Sequence, residues 1–423
     1  LSKDAGVPAA LDWYWWHQCP YDTDYPDFWP PREGTAKFRS ILKHLKKAGV
    51  FTQVYLNGLT WDVDSAGYAH GGKESVIENE DGSPYAIEYN KYTHHRLGYM
   101  CGAGKPFQKR LAGVVKHLVD EGVSGVYLDM IGCSTGHPCY SHFHHHAPGG
   151  GTYQVAGYRK FVKSLRTAHP DTIFSTECCN EAFLDLFESA IVLSPSMERC
   201  ENQVWIDCVP AFSAVYHGAT ALFGNYALID GIPPWDPLWP AKDRWQDEEP
   251  WEEIFPDQFC CELARTIVWG MQPTVCKLTM EQTRPDGRFA PFYRFLVDMC
   301  KFYYAHRDFL FDGRLLNPKG FTTRLVDVGF LQRGLFTTKE KGKRLYRKLP
   351  AILHSVWEAP DGRKALFAIN YTLKEQSYEY INQKGAIPPR SALFLPLEQI
   401  AYLGQTQQFN STIPQKTGMV HTV

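Results

Sequence analysis

Residues 125–129 read Gly-Val-Tyr-Leu-Asp, and residues 173–177 read Ile-Phe-Ser-Thr-Glu. The first stretch is a short apolar run and the second is strand-like, and each ends in a carboxylate, a pattern that predicts two strands of a parallel sheet. The two acids are 48 residues apart (177 − 129), and Tyr153–Ala168 between them has helical spacing of its apolar residues. This spacing predicts one βαβ unit with a carboxylate at the end of each strand.

The same alternation extends over the first 300 residues. Strand-like runs begin near residues 10, 50, 97, 123, 172, 190, 211 and 273, and helical segments separate most of them. Eight strands with helices between them predict an α/β fold, the (β/α)8 TIM barrel. A doubly wound sheet is the alternative, but no glycine-rich phosphate-binding turn follows the first strand.

The end of the chain has a different pattern. An aromatic helix predicted over Phe289–Phe311 is followed by runs with the period of two that is typical of strands. All 12 cysteines lie between Cys19 and Cys300, which also marks a change of composition. We therefore predict a catalytic (β/α)8 barrel over residues 1–312, followed by a small antiparallel β-sandwich domain over residues 313–423.

Composition limits the classes of partner. The 423 residues carry 44 Lys and Arg against 46 Asp and Glu, a formal net charge of −2, which gives no electrostatic case for nucleic acid as the main partner. No stretch approaches the roughly 18 apolar residues of a membrane span. The chain starts Leu-Ser-Lys-Asp, without an initiator Met or a signal-peptide pattern, so we expect a processed chain or a piece of a longer one. Cytoplasmic and exported locations both stay open, as does the oligomeric state.

Asp129 and Glu177 are the strongest candidates for chemistry. Catalytic groups of barrel enzymes stand at the carboxyl ends of the strands, where neighbouring strands converge. Two carboxyls held about 5–5.5 Å apart suit retaining glycoside hydrolysis, in which one is the nucleophile and the other the general acid/base. The structural alternative is that each acid caps the following helix or pairs with an Arg.

Four segments resemble a family of bacterial glycoside hydrolases with a catalytic TIM barrel. They are Tyr-Leu-Asp-Met-Ile-Gly (127–132), Cys-Tyr-x-His-x-His-His-His-x-Pro-Gly-Gly-Gly (139–151), Ser-Thr-Glu-x-x-Asn-Glu (175–181) and Pro-x-x-x-x-Val-Tyr-His-Gly (210–218). The family is similar to endo-α-N-acetylgalactosaminidases and, more distantly, to α-amylase and α-galactosidase barrels. The resemblance covers roughly residues 10–380 and implies a barrel followed by a β-sandwich. It also implies action on α-linked glycosides, with Asp129 as a strand-4 nucleophile and Glu177 as a strand-5 acid/base.

The loop after Asp129 is rich in histidine and cysteine and has three interpretations. We favour a substrate loop, in which His142, His144 and His146 bond sugar hydroxyls. The second is a zinc site drawn from Cys133, His137, Cys139, His142, His144, His145 and His146, although the spacing matches no regular zinc motif. The third is that these histidines are structural or solvent-exposed. The favoured interpretation includes no metal and no cofactor.

Further candidates for substrate binding lie at predicted strand ends. They are Trp15, Trp16, Asn57, Trp61, Glu181, Tyr216, His217 and Lys277. Indole rings offer stacking faces to sugars, and the polar side chains offer hydrogen bonds. Packing in the barrel core is the alternative for the tryptophans, and helix placement is the alternative for Glu181. A Pro-rich loop contains four further tryptophans, which either bind outer sugar units or pack the loop against the protein. They are Trp235, Trp239, Trp245 and Trp251.

The sequence thus predicts a retaining glycoside hydrolase with an oligosaccharide or glycoconjugate substrate. The alternatives are a carbohydrate-binding barrel without turnover and a metal-dependent hydrolase built on the His/Cys loop. We also expect Glu177 to hold its proton longer than Asp129, because the loop after Asp129 offers hydrogen-bond donors that favour an ionised carboxylate.

Overall fold

The computed structural model describes residues 1–133, 136–199, 209–224, 227–240, 248–333 and 342–397. The strands are β1 (Ala9–Trp13), β2 (Val50–Asn57), β3 (Thr60–Asp62), β4 (Ala86–Ile87), β5 (Leu97–Tyr99), β6 (Gly125–Asp129), β7 (Ile173–Glu177), β8 (Ser189–Ile191), β9 (Ala221–Phe223), β10 (Arg314–Leu316), β11 (Phe321–Thr323), β12 (Leu325–Gln332), β13 (Lys343–Pro350), β14 (Ile352–Glu358), β15 (Lys364–Asn370), β16 (Gln376–Tyr380), β17 (Gln383–Ile387) and β18 (Ser391–Leu397). The helices are α1 (Ser2–Ala5), α2 (Thr35–Lys47), α3 (Lys105–Glu121), α4 (Tyr153–Ala168), α5 (Ala211–Tyr216), α6 (Trp251–Ile254), α7 (Gln258–Val268), α8 (Ala290–Ala305) and α9 (Arg307–Leu310). Within these ranges, none of the helices has the length and apolar character needed to cross a bilayer.

A parallel sheet forms the centre of the first part of the chain. Its six strands lie in the order β1-β2-β6-β7-β8-β9, and every neighbouring pair is parallel. Helices α2, α3 and α4 provide the crossovers between the first four strands. In β6 the residues from Gly125 to Leu128 are all buried, which explains why that strand is an apolar run without alternation.

The crossover helices bury one apolar stripe each. On α3 this stripe includes Leu111, Val115 and Leu118, spaced by four and three residues as a helix requires. The helix has Pro106 in its first turn and ends at Gly122, whose φ of 96° is the left-handed conformation that glycine adopts without strain. These boundaries fix where β6 begins and therefore where Asp129 lies.

The predicted set of eight barrel strands needs correction. Leu97–Tyr99 forms a strand, but it pairs antiparallel with β3 and β4 in a small separate sheet. Residues 211–215 belong to helix α5 rather than to a strand, and residues 273–277 form no regular strand. Isolated parallel bridges from Phe223 to Gln272 and from Leu228 to Lys277 do continue the sheet beyond β9. Asp129 and Glu177 therefore end the third and fourth strands of the parallel sheet, not the fourth and fifth.

Antiparallel sheets follow, as predicted for this part of the chain. One has the order β10-β14-β15-β18, a second β11-β16-β17 and a third β12-β13. The first two contact each other where Phe321 and Tyr378 pack near Ile352 and Ala368. The boundary predicted at residue 312 falls between α9 and β10, and residues 398–423 of the predicted domain lie outside the described ranges.

Candidate active site

Asp129 and Glu177 lie side by side at the carboxyl edge of the parallel sheet. Leu128 of β6 pairs with Thr176 of β7, so the next residue on each strand, a carboxylate in both cases, lies at the same level. A side-chain hydrogen bond joins the two carboxyls. In the part of the chain that the structure describes, neither acid forms an ion pair with Arg or Lys.

The turns that follow the two acids are unusual and alike. Met130 has a φ of 67° and Cys178 a φ of 61°, left-handed values that are uncommon for residues other than glycine. Strain of this kind costs of order 1–3 kcal/mol and concentrates at functional sites. Gly132 is required here, since a Cβ at this position would lie 2.4 Å from the carbonyl oxygen of Glu177. The absence of a side chain allows the loop after β6 to pass directly over the end of β7.

Two tyrosines donate hydrogen bonds to Asp129. The Tyr55 hydroxyl lies 3.1 Å from Oδ2, and the Tyr127 hydroxyl lies 3.0 Å from Oδ1. Both follow from strand geometry: Tyr127 precedes Asp129 by two residues and so shares its face, and Tyr55 pairs with Tyr127 on the adjacent strand. Glu177 accepts a weaker bond, from the Cys133 thiol at 3.1 Å to Oε2.

Burial dominates the electrostatics of the pair. It raises the pKa of Asp129 well above the usual value, and the charge of Glu177 adds to the effect. Burial also raises the pKa of Glu177, to about 7. Two carboxyls in hydrogen-bonding contact share a proton, so near neutral pH the pair carries one negative charge rather than two.

The expected order of protonation is wrong for the unliganded site. The donors to Asp129 come from Tyr55 and Tyr127 rather than from the histidine loop, and the effect of burial on the pKa of Asp129 outweighs them. The charge of Glu177 raises the pKa of Asp129, and the hydrogen bond with Asp129 lowers the pKa of Glu177, so these directions favour the proton on Asp129, opposite to the prediction from sequence.

Asp12 and Asp22 are two further buried acids that sequence reasoning missed. Burial, with a smaller contribution from the nearby charge of Asp129, raises the pKa of each to about 8. Asp12 accepts a hydrogen bond from Gln53, while its Oδ1 atom is buried without a partner among the described residues. The sequence pattern singles out acids at strand ends, whereas Asp12 lies within β1 and Asp22 lies in a turn with a φ of 61°.

We predict that Asp12→Asn makes the protein less sensitive to alkaline pH. A carboxyl whose pKa is raised in the folded state keeps a proton that the unfolded chain loses, so its stabilising effect is complete below about pH 4 and disappears as pH rises towards about 8. One such group changes the free energy of unfolding by about 1.4 kcal/mol per pH unit within that window. Urea unfolding from pH 5 to 9 should therefore show a shallower decline in Asp12→Asn than in the wild type.

The matched control is Asp171→Asn, at an exposed position before β7, which should keep the wild-type dependence on pH. Parallel curves for wild type and Asp12→Asn would show that Asp12 does not titrate in this window.

Most of the predicted aromatic sugar contacts are packed into the core. Trp16 and Trp61 are each only 1% exposed, so neither ring has a face for a substrate. The Trp16 indole donates to the Tyr55 carbonyl at 2.7 Å, and Trp61 packs near Phe107. Trp15 is partly buried beside Trp239. The side chains of Trp15 and Trp16 after β1 therefore pack against other residues of the protein.

The loop tryptophans are mainly packing residues as well. Trp239 is 1% exposed and stacks on Tyr92 with ring centroids 4.6 Å apart. Trp251 is also buried, Trp235 packs against the same core as Trp239, and Trp245 lies outside the described residues.

Asn57 supports a turn. It is 2% exposed at the end of β2, and its Oδ1 accepts from the backbone N–H groups of Leu59 and Thr60. The side chain therefore holds the chain reversal between β2 and β3, which removes it from the predicted set of sugar contacts.

The remaining predicted contacts are dispersed. Tyr216 donates to Glu181 at 2.9 Å, on an exposed surface. His217 follows helix α5 and not a strand; its Nδ1 lies 2.8 Å from the Gly313 carbonyl, and its ring lies against Trp357 of the antiparallel region. Lys277 pairs with Asp230 at 2.7 Å. Glu181 lies four residues after Glu177, and its hydrogen bond with Tyr216 leaves both side chains accessible to solvent.

The histidine loop divides into two parts. His142 is exposed, whereas His144 and His146 turn towards the thiols of Cys139 and Cys101. Sugar binding by His144 and His146 is therefore not supported, since their ring nitrogens are already engaged with protein atoms.

A cleft of about 620 Å³ lies elsewhere, at the amino end of β7. It is lined by residues of α4 and the segment before β8, including the ion pair of Arg159 with Asp185 and that of Arg166 with Glu188. These charges are paired, and the hydrogen bond from Arg159 lowers the pKa of Asp185. The candidate pair of Asp129 and Glu177 lies at the opposite edge of the sheet.

Residues 1–227 match the family described as "Domain of unknown function (DUF6259)". Among proteins of similar sequence, one from Bacteroides thetaiotaomicron named "Putative glycoside hydrolase" is 25% identical over 386 residues, which is 90% of this chain and 50% of that protein. A second, "Putative glycoside hydrolase 22789" from Monosiga brevicollis, is 31% identical over 254 residues, 54% of this chain and 20% of that protein. The chain thus spans half or less of the length of these relatives.

Among solved structures, the alpha-N-acetylgalactosaminidase NagBb from Bifidobacterium bifidum has a similar fold. The TM-score is 0.55 at 13% identity, and the alignment covers 86% of this chain and 49% of that protein. At this level of identity the likeness concerns the fold, which is a TIM barrel in that enzyme.

Proposed function

The chain belongs to the DUF6259 family, and from that premise we propose that it is a glycoside hydrolase in which Asp129 and Glu177 form the catalytic pair. The observation that carries the proposal is the contact between two strand-end carboxyls that share one proton. Glycoside hydrolysis needs one ionised and one protonated carboxyl flanking the same bond, and this pair provides both at neutral pH. The names of the two similar proteins support the same reaction class.

In the proposed mechanism, a glycosidic bond enters between the two carboxyls and replaces their hydrogen bond. Glu177 gives the shared proton to the leaving oxygen, and Asp129 attacks the anomeric carbon to form a covalent glycosyl-enzyme. Glu177, now ionised, takes a proton from water, whose oxygen attacks the anomeric carbon and releases Asp129 as a carboxylate. The product retains the configuration of the substrate.

The hydroxyls of Tyr55 and Tyr127 support Asp129 as the nucleophile. Each donates to one oxygen of this carboxyl, which favours its ionised form once the proton has left the pair. An oxocarbenium-like transition state brings positive charge next to Asp129, so the same carboxylate gains further stabilisation during the reaction. Glu177, with a single weak thiol donor, takes up the proton when the substrate separates the two carboxyls.

We further propose that the six-stranded sheet belongs to a (β/α)8 barrel and that the substrate is an α-linked oligosaccharide or glycoconjugate. The two parallel bridges beyond β9 continue the sheet in the direction that closure requires. The solved structure of similar fold is an alpha-N-acetylgalactosaminidase, which supports an α-linked substrate. The chain spans half of the length of its Bacteroides relative, and we propose the same substrate class for a longer protein that contains this chain.

A screen of aryl α- and β-glycosides tests the function. We expect release of the aryl group from one or more α-glycosides, with an α-configured sugar as the first product in a proton NMR time course. The double variant with Asp129→Asn and Glu177→Gln is the control for contaminating glycosidases. A first product of β configuration would contradict the retaining mechanism, and saturable sugar binding without turnover would favour a carbohydrate-binding barrel.

A further inference from the structure

Two cysteines and two histidines converge beside the small β3-β5-β4 sheet. They are Cys101, Cys139, His144 and His146, and one ligand atom from each lies within 4.8 Å of all the others. Cys101, Cys139 and His144 are buried, and His146 is partly buried. Two thiol sulfurs and two imidazole nitrogens are the ligand set that tetrahedral zinc prefers.

The distances fit a shared metal ion. Zinc–sulfur bonds of about 2.3 Å and zinc–nitrogen bonds of about 2.0–2.1 Å put the sulfur and nitrogen of one tetrahedron about 3.5 Å apart. Cys139 Sγ lies 3.3 Å from His144 Nδ1, and Cys101 Sγ lies 3.4 Å from His146 Nε2. Only small adjustments separate these contacts from two edges of such a tetrahedron.

The outer nitrogen of each imidazole is oriented as in a metal site. His144 Nε2 lies 3.3 Å from the Glu74 carbonyl, and His146 Nδ1 lies 2.8 Å from the Ala147 carbonyl. A carbonyl oxygen only accepts, so each of these nitrogens carries the proton. The other nitrogen of each ring then presents a lone pair to the cluster, the arrangement that backbone carbonyls impose on zinc-bound histidines.

The surroundings hold the four ligands in place. The Ala103 N–H donates to Cys101 Sγ at 3.4 Å, a contact that favours a thiolate. The His146 ring stacks on Tyr153 with centroids 3.6 Å apart. Cys139 exchanges two backbone hydrogen bonds with Gly149, which closes the loop containing both histidines into a compact unit.

We propose that Cys101, Cys139, His144 and His146 bind one zinc ion, which fastens the loop after β6 to the segment after β5. Four protein ligands complete the tetrahedron, so the ion is structural rather than catalytic. The site differs from the zinc set considered from sequence in that one ligand, Cys101, comes from a distant segment. The proposal is independent of the proposed glycosidase activity.

Metal content tests this proposal directly. The full chain, expressed without a polyhistidine tag and purified under reducing conditions, should contain one zinc ion per chain by elemental analysis. Cys101→Ser and His146→Gln should weaken zinc binding by more than about 100-fold, beyond the 10–100-fold typical of an outer-shell change. His142→Gln, in the exposed part of the same loop, and Cys300→Ser, on α8, are matched controls and should keep the ion.

Cobalt substitution provides a second readout that needs no variant. Wild-type protein reconstituted with cobalt should show the intense visible bands of a tetrahedral complex and a thiolate-to-cobalt charge-transfer band. Removal of zinc by a chelator should lower the melting temperature of the wild type and leave that of Cys101→Ser unchanged. Zinc at the same trace level in wild type and Cys101→Ser, or an intact mass showing a disulfide between Cys101 and Cys139 in the native protein, would overturn the proposal.

Discussion

Asp129→Asn is expected to lower kcat on an aryl α-glycoside by about 10⁴-fold or more, because the amide cannot attack the anomeric carbon. The fold should persist, since the amide oxygen still accepts one of the two tyrosine hydrogen bonds. The variant also removes an acid whose ionisation is disfavoured by burial and by the charge of Glu177. Its melting temperature at pH 8 should therefore equal or exceed that of the wild type. Steady-state kinetics and thermal unfolding on the same preparation measure both effects.

Tyr127→Phe provides the graded control for this variant. It removes one hydrogen bond to Asp129 and leaves the carboxyl in place. Loss of a hydrogen bond to a charged group costs about 1.5–3 kcal/mol, which corresponds to a decrease in kcat of about 10–100-fold. A rate for Asp129→Asn within the range of Tyr127→Phe would mean that Asp129 supports the site without acting as the nucleophile.

The sequence predicted the elements with strong patterns and missed those defined by tertiary contacts. Helix α4 and strands β6 and β7 have clear sequence patterns, and the structure has them within a few residues of the predicted bounds. Residues 211–215 are a short apolar run, which fits a strand or a helix equally well. Pro210 before it favours the first turn of a helix, and that signal was not used.

The third predicted barrel strand illustrates a different limit. Leu97–Tyr99 is β-rich and does form a strand, yet sequence alone does not reveal its partner. The partners β3 and β4 are three and two residues long and lie within or beside a segment that reads as a polar loop. Pairing between such short strands depends on the turns that connect them. In this chain the turns bring β5 into a local antiparallel sheet instead of the parallel sheet.

The candidate site shows the same division. Asp129 and Glu177 are predictable from sequence because each ends a strand-like run, and their proximity follows from the parallel register. Tyr55 and Tyr127 were missed because a tyrosine within a strand reads as core until a neighbouring strand shows where its hydroxyl points. Cys101 was missed because it lies 38 residues before Cys139 (139 − 101), outside any local metal-binding motif.

Glu177→Ala is expected to separate the two chemical steps. With a poor leaving group that needs a proton, kcat/KM should fall by about 10²–10⁴-fold, the usual contribution of a general acid. With an activated aryl glycoside the leaving group needs no proton, so formation of the glycosyl-enzyme should remain close to the wild-type rate. Hydrolysis of that intermediate should then become limiting, because the general base for water is gone, and a burst of aryl product should precede the steady state.

Azide and pH identify the role of Glu177 in this variant. Azide needs no base and fits the space left by the carboxyl, so it should restore turnover and give a glycosyl azide with the configuration of the substrate. Only the pair with one proton and one negative charge is active, so kcat/KM should rise as pH passes through about 7, where Glu177 titrates. That transition near pH 7 should disappear in Glu177→Ala with the activated substrate, since the group that titrates there is absent. Rescue of Asp129→Ala rather than Glu177→Ala by azide with retained configuration would exchange the two roles, because the carboxyl that azide replaces with retention is the acid/base and the other carboxyl is the nucleophile.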